Sequence, residues 1–525
     1  MRDFHLPGRS PVWAENGMVA TSHPIAAQVA LDMLKSGGNA TDAALAGAIA
    51  LGVCEPAMCG LAGDCFALIK PAGQDEVIGY NGSGRAPAGA DAQTLRDRGI
   101  TQIGLQSAEA VTLPGAVAAF AAMSGCWGRK GLDAVIAPAI SYFEAGVPVH
   151  ARAAFDWKRD QGALDPVGAR HFLPGGKAPS VGDRFALPGQ AALLRRIAAE
   201  GPRAFYEGEA AEDMLAALKR YGGCHTAEDF HAVAGERTTP VEGRYGDARL
   251  LEHPPNGQGA TAILILNILA QFDLEALAPF GAARAHLEAE AVKLGYDARN
   301  HFLSDARQAD PERMLDMDYA RTLAARIDPR RAQPALTIPE GQPHRDTVYI
   351  TVVDRDRMAV SLIYSVFHSF GSGIGTEKFG LLLHNRGCGF TLTPGHRNEY
   401  GAGKRPLHTI IPGMLASTGA SPDLPFGVMG GAYQAAGHAR FVTNLMTYGL
   451  TPQEAIDAPR SFPQDGRLTI ERGYAPGVLD ELEAMGHQIE IPEVPIGGAQ
   501  AIRIHPHGML EAGSDPRKDG CAVGY

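Results

Sequence analysis

The residues best placed to do chemistry gather around one stretch, RDTVYITVVDRDRMAVSLIYS, residues 345–365. Asp346 is followed by Thr347, and the side chains then alternate with the period of a strand. Thr347, Tyr349, Thr351 and Val353 share one face, and Val348, Ile350 and Val352 the other. A turn at Asp354-Arg355-Asp356-Arg357 leads into MAVSLIYSV, so the pair reads as a hairpin with Ser365 near the end of its second strand. A threonine hydroxyl is a weak nucleophile and needs a base beside it. On local pattern alone Thr347 simply opens a buried strand pair, because β-branched residues are common in strands.

Other constellations carry less. His384, Cys388, His396 and His408 can be drawn as a metal cluster, but they lack the tight paired spacing of zinc sites. Cys54, Cys59 and Cys65 have no fourth ligand nearby and read as small packing residues. The glycines of GSGIG, 371–375, do not match a dinucleotide fingerprint, and no Gly-x-Ser-x-Gly elbow occurs. No metal and no cofactor is expected.

The elements that must position these residues are partly legible. Ser22 is the expected N-cap of a first helix with Pro24 in its first turn, closed by Gly37-Gly38. An alanine-rich second helix is expected from Thr41 to about Leu51, packed closely against a neighbour. CEPAMCGLAGDCFALI reads as a glycine-rich turn entering a strand. From about 107 to 300 the pattern is mostly helical, with segments closed by glycine. PALTIPEGQPHRD, 334–346, is the best candidate for an exposed, flexible segment.

Composition limits the partners. With 525 residues, 45% hydrophobic and 20% charged, the chain has the makings of a large core. A formal charge of -11 gives no electrostatic reason to expect nucleic acid or an anionic membrane. The seven cysteines are odd in number and sparse, and neither a signal-peptide h-region nor an apolar run of about 18 residues is present. The expected setting is the cytoplasm.

Seven ordered motifs narrow the reading much further: GGNATDAALAGAIALGVCEP (37–56), LPGAVAAF (113–120), GDRFALPGQAALLRRIAAEGPRAFYEGEAAEDM (182–214), HPPNGQGATAILILNIL (253–269), FGSGI (370–374), GKRPLHTIIP (403–412) and VMGGAYQAAGHA (428–439). In this order they resemble the γ-glutamyltransferase family, from about residue 17 to Tyr525. The resemblance implies an α+β fold of the N-terminal-nucleophile hydrolase type, a four-layer αββα sandwich. It also implies a precursor that cuts itself between Asp346 and Thr347. Residues 1–346 and 347–525 would then be large and small subunits of one folded unit, an αβ heterodimer, with Thr347 as the nucleophile. An N-terminal threonine carries its own base, an α-amino group of pKa roughly 7.7 to 8.0. Gly430 and Gly431 match the family's oxyanion-hole pair, where backbone must approach the reacting carbonyl. Thr351 and Ser365 are candidates to hydrogen-bond the nucleophile.

The substrate reader departs from the family's usual pattern. Arg85, in Ser83-Gly84-Arg85-Ala86-Pro87, is displaced by two positions, and Phe367 stands where an asparagine is usual. Asn385-Arg386-Gly387-Cys388-Gly389 replaces Asn-Gln-Met-Asp-Asp, and His408 and Thr409 replace two serines. Losing acidic partners disfavours a substrate ammonium, while Arg386 and Arg85 suit a carboxylate. This combination resembles the branch containing oxamate amidohydrolase, an enzyme of purine catabolism, and also cephalosporin and glutaryl acylases. The expected ligand is a small carboxylate-bearing amide; glutathione-like γ-glutamyl amides and an uncleaved ligand-binding pseudoenzyme are the alternatives.

Overall fold

The computed structural model describes residues 8–334, 347–419 and 421–525, so Asp346 and nearly all of the segment expected to be flexible lie outside it. The alternation in Val348–Val353 is met by burial on both faces. Val348, Ile350 and Val352 pack under the helices Pro24–Lys35 and Ala40–Cys54, whereas Tyr349 and Val353 point toward a second sheet. The first sheet has seven strands in the order Cys521–Gly524, Met18–Thr21, Val348–Val353, Ala359–Ser365, Asp64–Lys70, Ile78–Gly82 and Glu236–Thr238. The second, also seven-stranded, runs Val12–Ala14, Leu510–Ser514, Gly498–Ile504, Leu424–Met429, Gly413–Ala416, Ala248–Glu252 and Val241–Tyr245.

The sheets face one another across Phe66, Tyr349, Ile363, Ile410 and Met429, a buried apolar cluster. One polar link crosses it: the Ser361 hydroxyl donates to the Phe426 carbonyl at 3.1 Å. Outside the second sheet, helices Gly259–Leu269, Ala282–Phe302 and Tyr433–Met446 bury their apolar faces against Leu250, Phe426 and Val428. The result is the expected four-layer αββα sandwich. The first sheet interleaves strands from both sides of residue 346, so neither side owns a complete sheet.

Local details differ from the sequence reading in three places. The first helix is capped by His23, whose Nδ1 accepts the Ile25 amide; Ser22 instead donates to buried Glu55. The second helix begins at Ala40, because Asn39 and Asp42 form a reciprocal capping box, and it runs to Cys54. Its small residues permit close packing: a Cβ at Gly47 would lie 2.5 Å from Ile350 Cδ1. The mostly helical reading of 107–300 also missed five short strands: Val147–Pro148 pairs with Arg184–Phe185, and Glu236–Thr238, Val241–Tyr245 and Ala248–Glu252 extend the edges of the two large sheets. Among the described residues, no helix is long and apolar enough to cross a membrane.

Candidate active site

Register places Thr347. Val348 pairs with Tyr364 across the hairpin, so the residue before it faces Ser365, and the buried Thr347 hydroxyl donates to Ser365 Oγ at 3.3 Å. Ser365 Oγ also accepts the Phe367 amide at 2.9 Å, which holds the chain as it leaves the strand with Phe367 at φ +81°. Thr351 does not join this pair. Four residues along a strand is about 13 Å, and its hydroxyl donates to the Val360 carbonyl at 3.0 Å within the hairpin.

Gly430 and Gly431 form the turn between strand Leu424–Met429 and helix Tyr433–Met446, with φ of +124° and +56°. Gly430 must be glycine twice over, since a Cβ there would also meet Gly497 Cα at 2.8 Å. The turn sits at a helix N-terminus, where backbone dipoles favour negative charge. The strand feeding it is clamped by His438. Its Nε2 accepts the Val428 amide at 3.2 Å, and its Nδ1–H donates to buried Glu252 at 2.6 Å. Gln258 braces the turn from behind, donating to the Thr409 carbonyl at 2.7 Å and the Gly431 carbonyl at 3.3 Å.

Arg386 is fully buried, and its surroundings were only half foreseen. Its guanidinium lies 4.1 Å over the Phe367 ring, its Nη1 donates to Thr409 Oγ1 at 3.3 Å, and its Nε is 3.6 Å from Asp64 Oδ2. Asp64 is the residue sequence reasoning missed. Its Oδ2 also accepts from His408 Nε2 at 3.2 Å and lies 3.5 Å from His384 Nδ1, while Oδ1 accepts the Gly84 amide at 3.2 Å. The available signal was an acid at the mouth of a strand, in the glycine-rich GLAGDCF. Burial alone would raise the Asp64 carboxyl, but His384, His408 and Arg386 hold it down at about 2. Burial and the Arg386 charge push His408 down to about 3, and burial also lowers His384 against the pull of Asp64. Near neutral pH the cluster is therefore one carboxylate, one guanidinium and two neutral imidazoles.

A cavity of about 780 Å³ opens beside these groups, lined by Phe367, Thr409 and Gly430 and by Tyr433, His368 and Leu105. Burial and Arg386 depress the His368 imidazole to about 4, so it stays neutral. Arg85 does not join the site. It donates to the Gly403 carbonyl at 3.1 Å and pairs with Asp305 at 3.4 Å and Glu236 at 3.8 Å, a half-exposed network that accounts for its charge. Nor do His384, Cys388, His396 and His408 converge as metal ligands. Among the described residues the one close donor group is His286, Glu290 and His487, where the two imidazoles hydrogen-bond at 2.8 Å and Lys293 holds Glu290 at 2.7 Å.

Fold and site together define an N-terminal-nucleophile hydrolase: two facing antiparallel sheets between helices, a threonine opening an inner strand and a glycine pair at the opposing strand end. Within that class the chain belongs to the gamma-glutamyltranspeptidase family, whose sequence model matches residues 26–525. It is 35% identical to a glutathione hydrolase-like YwrD proenzyme of Bacillus subtilis, over 97% of this chain and 98% of that protein. It is 33% identical to an oxamate amidohydrolase proenzyme of Klebsiella pneumoniae, over 97% and 98% respectively. The solved cephalosporin acylase from Bacillus halodurans superposes with a TM-score of 0.93 at 36% identity, covering 100% of this chain and 99% of that one. The protein is an amidohydrolase of the γ-glutamyltransferase type.

Proposed function

We propose that the chain is a precursor that cleaves itself before Thr347 and then hydrolyses an amide whose acyl part carries a carboxylate, with oxamate the named candidate. One observation carries the reading: the Thr347 hydroxyl faces Ser365, whose other partner, Phe367, lines the cavity together with Gly430.

In self-cleavage the Thr347 hydroxyl attacks the carbonyl of Asp346; the C–N bond breaks, which frees the Thr347 amine, and water then hydrolyses the resulting ester to release the Asp346 carboxylate and the Thr347 hydroxyl. That amine then accepts the hydroxyl proton as the oxygen attacks a substrate amide. The Gly430 and Gly431 amides stabilise the oxyanion, the Thr347 ammonium passes its proton to the substrate's amide nitrogen as that C–N bond breaks and the amine departs, and water releases the acid from the acyl-enzyme. With oxamate the products are oxalate and ammonia. Arg386 binds the carboxylate once the Phe367 ring moves aside, and Thr409 orients the guanidinium.

A second reading rests on cavity volume. About 780 Å³ is room for a drug-sized ligand, far more than oxamate fills, and favours a longer acyl chain or a bulky leaving amine, as an acylase or glutathione-type substrate would have. Intact mass of the purified protein, followed by a panel of oxamate, γ-glutamyl amides and glutaryl amides, tests both. Two fragments with fastest turnover of oxamate support the first reading, fastest turnover of the larger amides the second, and a chain that stays whole overturns both.

A further inference from the structure

The Asp64, His384, His408 and Arg386 cluster poses a charge problem that a carboxylate ligand would make acute. Asp64 and Arg386 cancel one another in a site with no exposure to solvent. A carboxylate seated on Arg386 takes over its charge and leaves Asp64 as an uncompensated buried anion, which is costly. The arrangement of the two imidazoles says which group can respond. His408 is fully engaged as a neutral ring: Nε2–H donates to Asp64, and Nδ1 accepts the Ile410 amide at 3.3 Å. His384 is not. Its Nε2–H donates to the Thr112 carbonyl at 2.7 Å, which leaves the Nδ1 lone pair aimed at Asp64 Oδ2 from 3.5 Å with no hydrogen bond. A proton on Nδ1 turns two facing acceptors into a charged hydrogen bond and breaks nothing.

We propose that His384 takes up one proton when a substrate carboxylate binds Arg386, so that Asp64 exchanges its arginine partner for an imidazolium. His384 is a positioning residue here, acting through Asp64 on the carboxylate site. The inference rests on the carboxylate reading above. Other charged or titratable groups bearing on His384 are Arg386 and Cys388 on its own segment, Asp64 and His408 across the site, and His225 from behind; His225 Nε2 is tied to the Val111 carbonyl at 2.8 Å. Burial and the Arg386 charge oppose the proton, and Asp64 favours it. The balance tips when the ligand neutralises Arg386.

The test uses the mature, cleaved enzyme and two carboxylate probes that cannot be hydrolysed, oxalate and glutarate. Calorimetric titration near neutral pH in two buffers of different ionisation enthalpy reads the protons taken up. The expected result is close to one proton per bound probe molecule. In His384→Gln, whose amide keeps the donor to Thr112, uptake disappears and affinity falls about tenfold or more. Melting temperature and completeness of cleavage confirm that this variant folds. Equal heats in both buffers overturn the inference while leaving the carboxylate reading intact. Uptake retained in His384→Gln places the proton elsewhere and also overturns it. Failure of both probes to bind, in an enzyme that still cleaves uncharged amides, removes the carboxylate reading and the inference with it.

Discussion

Three side chains set the expected behaviour at the scale of single residues. Thr347→Ala removes both the attacking oxygen and the reason for cleavage, so intact mass should show one chain and activity should fall by at least about 10³-fold. Ser365→Ala removes one hydrogen bond to that hydroxyl, worth about 1 kcal/mol. Cleavage should slow several-fold yet reach completion, as read by the time course of fragment appearance. Asp64 gives a pH dependence whose sign follows from its depressed pKa. A carboxyl at about 2 when folded and near 3.9 when unfolded contributes stability above the unfolded value, lost as pH falls through the folded one. The contribution is roughly 2 to 3 kcal/mol. Urea melts at descending pH should show wild type losing this increment between about pH 4 and 2, while Asp64→Asn, already lacking it, should be flatter across that window.

At the scale of elements, the hairpin and the opposing strand act as one device. Gly427 lies under the Tyr349 ring, and a Cβ there would sit 2.3 Å from Tyr349 Cε2. Gly427→Ala must therefore push Tyr349 away, and Tyr349 lies two residues along the strand that Thr347 opens. Destabilisation of about 1–3 kcal/mol is expected, with cleavage impaired even where the protein remains folded. Comparing the thermal midpoint with the fraction cleaved separates the two effects. Cleavage as fast as wild type in a destabilised variant would show that the inner strand does not transmit the shift to Thr347.

At the scale of the whole molecule, cleavage before Thr347 should leave one particle. Val348–Val353 is hydrogen-bonded between Met18–Thr21 and Ala359–Ser365, so the smaller fragment would hold a strand in the middle of a sheet built with the larger. The fragments should co-elute on size exclusion and separate only in denaturant. Separation in native buffer would contradict the interleaved sheet.

The sequence by itself determined the elements with strong period or motif. The hairpin at 348–365 followed from strict alternation, and the position of Thr347 and the Gly430-Gly431 turn from motifs that need a given residue at a given backbone site. The layered architecture followed from the ordered family motifs rather than from composition. Only the tertiary structure decided the polar cluster. Asp64, the segment carrying His384 and Arg386, and His408 are separated in the chain and meet because a strand mouth and two loops converge on one buried point, which no local periodicity encodes. For the same reason Arg85 and Thr351, plausible by residue type, were claimed by other partners, the acids Asp305 and Glu236 in one case and the Val360 carbonyl in the other. A side chain's chemistry is set by its type, but its role is set by what packing brings within about 3 Å of it.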